Sequence, residues 1–277
     1  MKVTSIVLFF LLQQALAKEK LELALLPEGF ERSQIVTLEA ELNRAGFLLI
    51  ETEFATKIAE KLELSDRFNL SLREASALGL ALGTDGYLLA RLGCIERFRS
   101  GKTYTESTLL AAAVLTRSGK AIDFYFFEAE GNNCSEATAA VLEKFLQQLP
   151  KLADSFRQSF HEQFVQEQVD PADRDAVRIT EATDDKLPPQ IVDSTKPTYT
   201  PIAEKLSYSA RVELEVVLRA DGSIGRIKVL RWACCGLVEA AQAAVKKLRF
   251  RPASVAGKPV NCLATIVYNF NYLRQAR

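Results

Sequence analysis

Cysteines, one histidine, paired carboxylates and a few glycine turns are the places where this 277-residue chain could carry chemistry. The five cysteines stand at 94, 134, 234, 235 and 262. An odd number leaves at least one thiol free or paired outside the chain. Cys94 lies in a strand-like segment and Cys134 follows another, so a bridge between them is feasible. The neighbours Cys234 and Cys235 could each seek Cys262, and the connectivity stays open. There is no C-x-x-C, and with a single histidine the usual Cys/His zinc spacings are missing, so no metal site is expected.

Gly101-Lys102-Thr103 matches the end of a P-loop, but that motif needs glycine five residues before Gly101, and Glu96 stands there. A helix must follow, and a strand-like run follows instead. Gly83-Thr84-Asp85-Gly86 reads as a helix stop before a strand. His161 sits on an amphipathic helix without the partners a general base requires, and is read as solvated. Asp184-Asp185 and Glu128/Glu130 fall in a linker and at a strand end. The sequons Asn69-Leu70-Ser71 and Asn133-Cys134-Ser135 matter only in a eukaryotic secretory route. No catalytic residue and no cofactor are expected.

The composition is that of a globular protein, 48% hydrophobic and 25% charged. It excludes a disordered or multi-span membrane chain. The 35 basic and 35 acidic side chains cancel, but unevenly. Residues 1–195 hold 21 basic and 30 acidic groups, and residues 196–277 hold 14 and 5. The first residues, MKVTSIVLFFLLQQALA, have a charged start, an apolar run and a small-x-small end at Ala15-Leu16-Ala17. This is the pattern of a cleaved export signal over residues 1–17, the rivals being an uncleaved anchor or a buried first strand. Export implies the periplasm, where disulfides persist; an uncleaved segment implies inner-membrane anchoring instead. Nucleic acid is then not an expected partner, despite the basic second half.

The elements resolve into an α+β protein: a mixed-sheet α/β domain over residues 18–169, a flexible linker over 170–195, and a small β-β-α-β domain over 196–277. In the first domain the spacing predicts strands near 21–26, 47–50, 87–98, 104–116 and 121–130. Helices are predicted over 34–43, 54–62, 71–81 and 135–161, the last interrupted by Pro150. Three of the nine prolines (171, 188 and 189) mark the linker and Pro197 follows it, beside Asp170, Asp173, Asp175, Asp184 and Asp185. In the second domain 211–218 alternates, Ala220-Asp221-Gly222-Ser223 turns, 224–230 returns, 237–250 is helical, 251–259 is a loop, and 262–272 alternates again. In an antiparallel sheet the last strand pairs with the first and lies at an edge.

Residues 20–165 resemble the envelope domains of the TolB amino-terminal and CsgG-like group. The resemblance rests on LALLPEGF, on EASALGLALGTDGYLLARL and on the strand after SGKAI. Residues 196–273 resemble the carboxy-terminal domain of TonB-type energy transducers. That likeness is carried by KPTYT, ADGSIGRIKVLR, GLVEAAQAAVKKLRFRPA, GKPV and TIVYNF. Its family-motif positions are Pro197, Tyr199, Asp221, Gly222, Phe250, Pro252 and Gly257. Ala210 departs from the glycine usual before the first strand. The long Pro-rich spacer and lasting anchor of the transducers are not seen, which puts energy transduction in doubt.

The resemblance implies capture of a short partner segment as an added strand. By position the receiving edge is Thr265, Ile266, Val267, Tyr268, Asn269 and Phe270. The expected function is a non-enzymatic periplasmic adaptor whose partner is an envelope protein, an outer-membrane transporter by analogy. One alternative is a membrane-anchored energy transducer coupled to an inner-membrane motor. Another is a ligand-binding or enzymatic first domain.

Overall fold

The computed structural model describes residues 20–99, 101–164 and 170–272. The expected leader over 1–17 lies outside the described residues. The chain divides into two compact units. The first holds residues up to 67 and 73–166; the second holds Phe68–Leu72 and everything from Glu167.

The first unit is built on five strands: β1 (Leu21–Glu28), β2 (Phe47–Leu49), β3 (Gly86–Arg99), β4 (Lys102–Leu115) and β5 (Ala121–Gly131). Their order is β2-β1-β3-β4-β5. β1 runs parallel to β2 and β3, and the β3–β4–β5 ladder is antiparallel. The continuous apolar run of β1 fits a strand covered on both faces, and Leu23, Ala24 and Leu25 are fully buried. Pro27 is tolerated in it because β2 pairs only with Leu21–Leu23, leaving that side of β1 unpaired beyond.

The helices are α1 (Arg32–Arg44), α2 (Thr52–Lys61), α3 (Leu72–Leu82), α4 (Cys134–Leu146) and α5 (Leu149–Glu162). Leu38 and Leu42 of α1, Phe145 of α4 and Phe156 of α5 share one core with Leu88 and Leu109. The Phe156 ring meets Phe47 edge-on at 5.5 Å. On the opposite face the Tyr87 hydroxyl donates to the Ala75 carbonyl of α3 across 3.0 Å. The long final helix foreseen from sequence is two, because Pro150, in the first turn of α5, cannot continue α4.

The second unit centres on three antiparallel strands: β8 (Ala210–Leu218), β9 (Ile224–Arg231) and β13 (Cys262–Phe270), ordered β13-β8-β9. The last strand therefore pairs with the first, as the antiparallel argument requires. Helices α6 (Pro201–Lys205) and α7 (Leu237–Val245) accompany the sheet, and Leu237, Ala241, Ala244 and Val245 are the buried face of α7.

Two expectations differ here. The helix ends at Val245, five residues early, and Arg249–Arg251 form β10 instead. The expected loop holds β11 (Ala253–Val255) and β12 (Lys258–Val260), which pair as a hairpin around Ala256-Gly257.

The segment read as a flexible linker also has defined structure. Pro171–Asp173 form a 3-10 turn, β6 (Lys186–Leu187) pairs with β11, and β7 (Gln190–Asp193) pairs with β10. Proline and like charge disfavour a core of their own, but here the backbone borrows partners from neighbouring strands. Residues 167–195 carry eight acidic and three basic groups, so the second unit holds 17 basic against 13 acidic side chains. Most of the basic excess in residues 196–277 is thus met within its own unit.

Candidate docking edge

β13 exists because its alternating sequence can bury one face while leaving the other wet. Cys262, Ile266 and Phe270 are buried, Ala264 and Tyr268 half-buried, and Thr265, Val267 and Asn269 exposed. Its register on β8 is unbroken over nine pairs, from Cys262↔Leu218 to Phe270↔Ala210. Tyr199 anchors the far end: its hydroxyl donates to the Tyr208 carbonyl, and its ring stands 6.0 Å from Phe270 and 6.4 Å from Tyr272. Burial raises the Tyr199 and Tyr268 phenols above their ordinary values. The Tyr268 hydroxyl is buried and meets no hydrogen-bond partner among the described residues.

The two sheet edges differ. The end of β9 is partly satisfied within the second unit: Ser71 bridges Arg231, and the Trp232 amide donates to the Leu70 carbonyl across 3.0 Å. Asn69 reinforces this end through its side chain, which donates to the Arg211 and Trp232 carbonyls, each at 2.8 Å. At β13, among the described residues, the outer edge is bonded only at its start, where Val177 bridges Cys262 in parallel. The Leu263 amide donates outward to the Val177 carbonyl across 2.8 Å. Backbone groups alternate in direction along a strand, so those of Thr265, Val267 and Asn269 face the same outer edge. Among the described residues no strand pairs with them there.

The remaining motif positions are structural. Asp221 and Gly222 form the β8–β9 turn, where Asp221 accepts from the Ser223 amide at 2.8 Å and Gly222 takes φ +86°. Phe250 is buried in β10 opposite Ile191, Pro252 separates β10 from β11, and Gly257 sits in the β11–β12 turn. Pro197 is half-buried outside any element.

Cys94 and Cys134 form a disulfide with a Cα separation of 5.9 Å. Cys234 and Cys235 bond each other rather than Cys262, which is free and packs with Ile179 and Ala253. Neighbouring cysteines are close whatever the fold, and Cys262 lies at the start of β13. Asn133 caps α4 by accepting from the Glu136 amide at 2.9 Å.

Lys102 begins β4, so a strand follows Gly101. His161, read as solvated, is instead half-buried, with its ring 5.8 Å from that of Phe160. No group of three or more His, Cys, Asp or Glu among the described residues could hold a metal ion. A surface depression in the first unit is lined by Glu41, Arg44, Asp154 and Arg157. These charges pair with one another, Arg44 with Glu41 and Arg157 with Asp154. No described helix is long and apolar enough to cross a membrane.

Residues 195–272 match the family of Gram-negative bacterial TonB protein C-terminal domains. Residues 195–272 thus form a segment similar to the TonB C-terminal domain. No curated protein matches the chain.

Among solved structures, the TonB C-terminal domain of Pseudomonas aeruginosa is 27% identical, over 34% of this chain and 93% of its own, with TM-score 0.27. A lipoprotein of Neisseria meningitidis is 14% identical, over 48% of this chain and 98% of its own, with TM-score 0.33. The LpoB C-terminal domain of Salmonella enterica is 16% identical, over 46% and 94%, with TM-score 0.25.

Proposed function

We propose that the chain is an exported, non-enzymatic adaptor of the cell envelope that binds a partner by strand addition along Thr265–Phe270. One observation carries this reading: beyond Cys262 and Leu263, β13 is paired on one side only among the described residues. An added strand gains main-chain hydrogen bonds from Thr265, Val267 and Asn269. The exposed side chains of these residues supply selectivity. The partner is an envelope protein, and the TonB C-terminal match favours an outer-membrane transporter. The first unit contacts a second envelope component, in keeping with its resemblance to the TolB amino-terminal and CsgG-like group.

The test is recovery of a partner from envelope extract by the full chain, compared with a Val267→Pro variant. Proline removes an amide that faces the open edge and leaves the β8 ladder intact. The family match equally favours an anchored energy transducer coupled to an inner-membrane motor. The mass of the mature chain separates the two: a start at Lys18 excludes the anchor, and a start at Met1 excludes the exported adaptor.

A further inference from the structure

Among residues 170–187 only Asp173 and Ile179 are buried. Asp173 is 6% exposed, and its carboxylate enters a fitted site. Its Oδ1 accepts from Arg219 Nε across 2.7 Å, and its Oδ2 accepts from the Arg226 amide across 2.7 Å. Gly225 makes the room: a Cβ at that position would stand 2.2 Å from Asp173 Oδ1. Arg219 also holds Asp170 at 2.9 Å, and Asn261 Nδ2 donates to the Ala172 carbonyl at 2.8 Å. The other end of the Asn261 amide accepts from the Ala220 amide at 2.9 Å, which fixes its orientation. Arg219 after β8, Gly225 and Arg226 at the start of β9, and Asn261 just before β13 thus hold one short Asp-Pro-Ala-Asp sequence.

The chain that leaves this site lies on the docking strand. The Val177 amide donates to the Asn261 carbonyl at 3.0 Å, and its carbonyl accepts from Leu263. Arg178 pairs with Glu215 at 2.6 Å and donates to Thr265 Oγ1 at 3.3 Å. Ile179 inserts beside Ala253 and Cys262. The attachment is therefore one carboxylate, one isoleucine and a few polar bonds, with exposed residues between. Such an arrangement can detach without opening the β13-β8-β9 core.

We propose that Arg219, Gly225, Arg226 and Asn261 form a binding site for an aspartate-bearing peptide segment, filled in cis by residues 170–173. Occupancy keeps Val177 on the first part of the outer edge of β13. The consequence for docking rests on the strand-addition reading. A partner strand enters at Thr265 while the segment is bound, and reaches Leu263 only when the segment is released.

Residue-resolved hydrogen exchange on the full chain tests the site without any partner, so its failure is separate from failure of the docking reading. In Asp173→Asn and Gly225→Val, the Val177 and Leu263 amides are expected to exchange ~10-fold or more faster, the scale set by losing a charged hydrogen bond. The Leu214 and Val216 amides of β8 should keep their protection. A synthetic peptide of residues 169–180, added to the Asp173→Asn chain at millimolar concentration, should restore protection at Leu263. Unchanged exchange at Val177 and Leu263 in both variants would overturn the proposal. So would equal loss of protection in β8, which makes the segment inseparable from the fold, or a peptide that restores nothing.

Discussion

The Asp173 carboxylate and the Arg219 guanidinium meet at 2.7 Å across a glycine that leaves them room. Burial alone would raise the Asp173 pKa, but bonds from Arg219 and the Arg226 amide outweigh it and hold the carboxyl below its ordinary value. Asp170 shares Arg219, and the charge of Arg226 adds to the effect. A depressed folded pKa contributes stability that is complete above the unfolded value of about 3.9 and is lost as pH falls toward the folded value. The Val177 and Leu263 amides should therefore keep their protection from pH 7 down to about 4. They should lose it below that pH, which hydrogen exchange or exchange-resolved NMR can follow.

Tyr268 offers a test of opposite sign. Its hydroxyl is buried without a partner among the described residues. An unsatisfied buried polar group costs about 1–3 kcal/mol. Tyr268→Phe keeps the ring and removes the orphan group, so the variant should unfold at equal or higher denaturant concentration than the parent. A loss of more than about 1 kcal/mol would mean that the hydroxyl has a partner in solution.

The Cys94–Cys134 bridge spans a sequence separation of 40 residues. Closing a loop of that size removes unfolded-state entropy worth about 3–4 kcal/mol. Replacing both cysteines with serine should lower the stability of the first unit by that amount in urea. The same change made in the presence of reductant should add nothing further.

Much of this architecture was legible in the sequence, and the misses share a cause. Periodicity located β3, β4, β5, β8, β9 and β13 because each has its own alternation or apolar run. Gly101 and Gly119 take positive φ, +81° and +64°, where the chain turns between the first three. Pro150 announced the break between α4 and α5. What could not be read was structure borrowed from elsewhere. β6 and β7 are exposed and carry no apolar pattern, and they exist only because β10 and β11 offer backbone groups. The role of Asp173 was hidden in a run of aspartates, since neither Gly225 nor Arg219 is near it in sequence. The Cys234–Cys235 bond was not read either, for composition names the thiols without saying that Cys262 packs instead with Ile179 and Ala253.

Charge teaches the same lesson. A division at residue 195 sets an acidic part against a strongly basic one, whereas Asp170, Asp173 and Arg178 pair with residues of the second unit. The excess left for a partner is then 17 basic against 13 acidic groups. Screening at high salt should weaken partner recovery only modestly, because in strand addition main-chain bonds rather than charge supply most of the affinity.

A partner strand added along Thr265–Phe270 must hydrogen-bond the outward Val267 amide. Recovery of the envelope partner by the full chain, by Val267→Pro and by Val267→Thr measures this most directly. Threonine keeps the outward amide, so its recovery should equal that of the parent. Proline should lower recovery ~10-fold or more while the far-ultraviolet spectrum stays unchanged, one lost bond and a clash being worth at least a factor of ten. Equal recovery by a folded Val267→Pro chain would contradict the account.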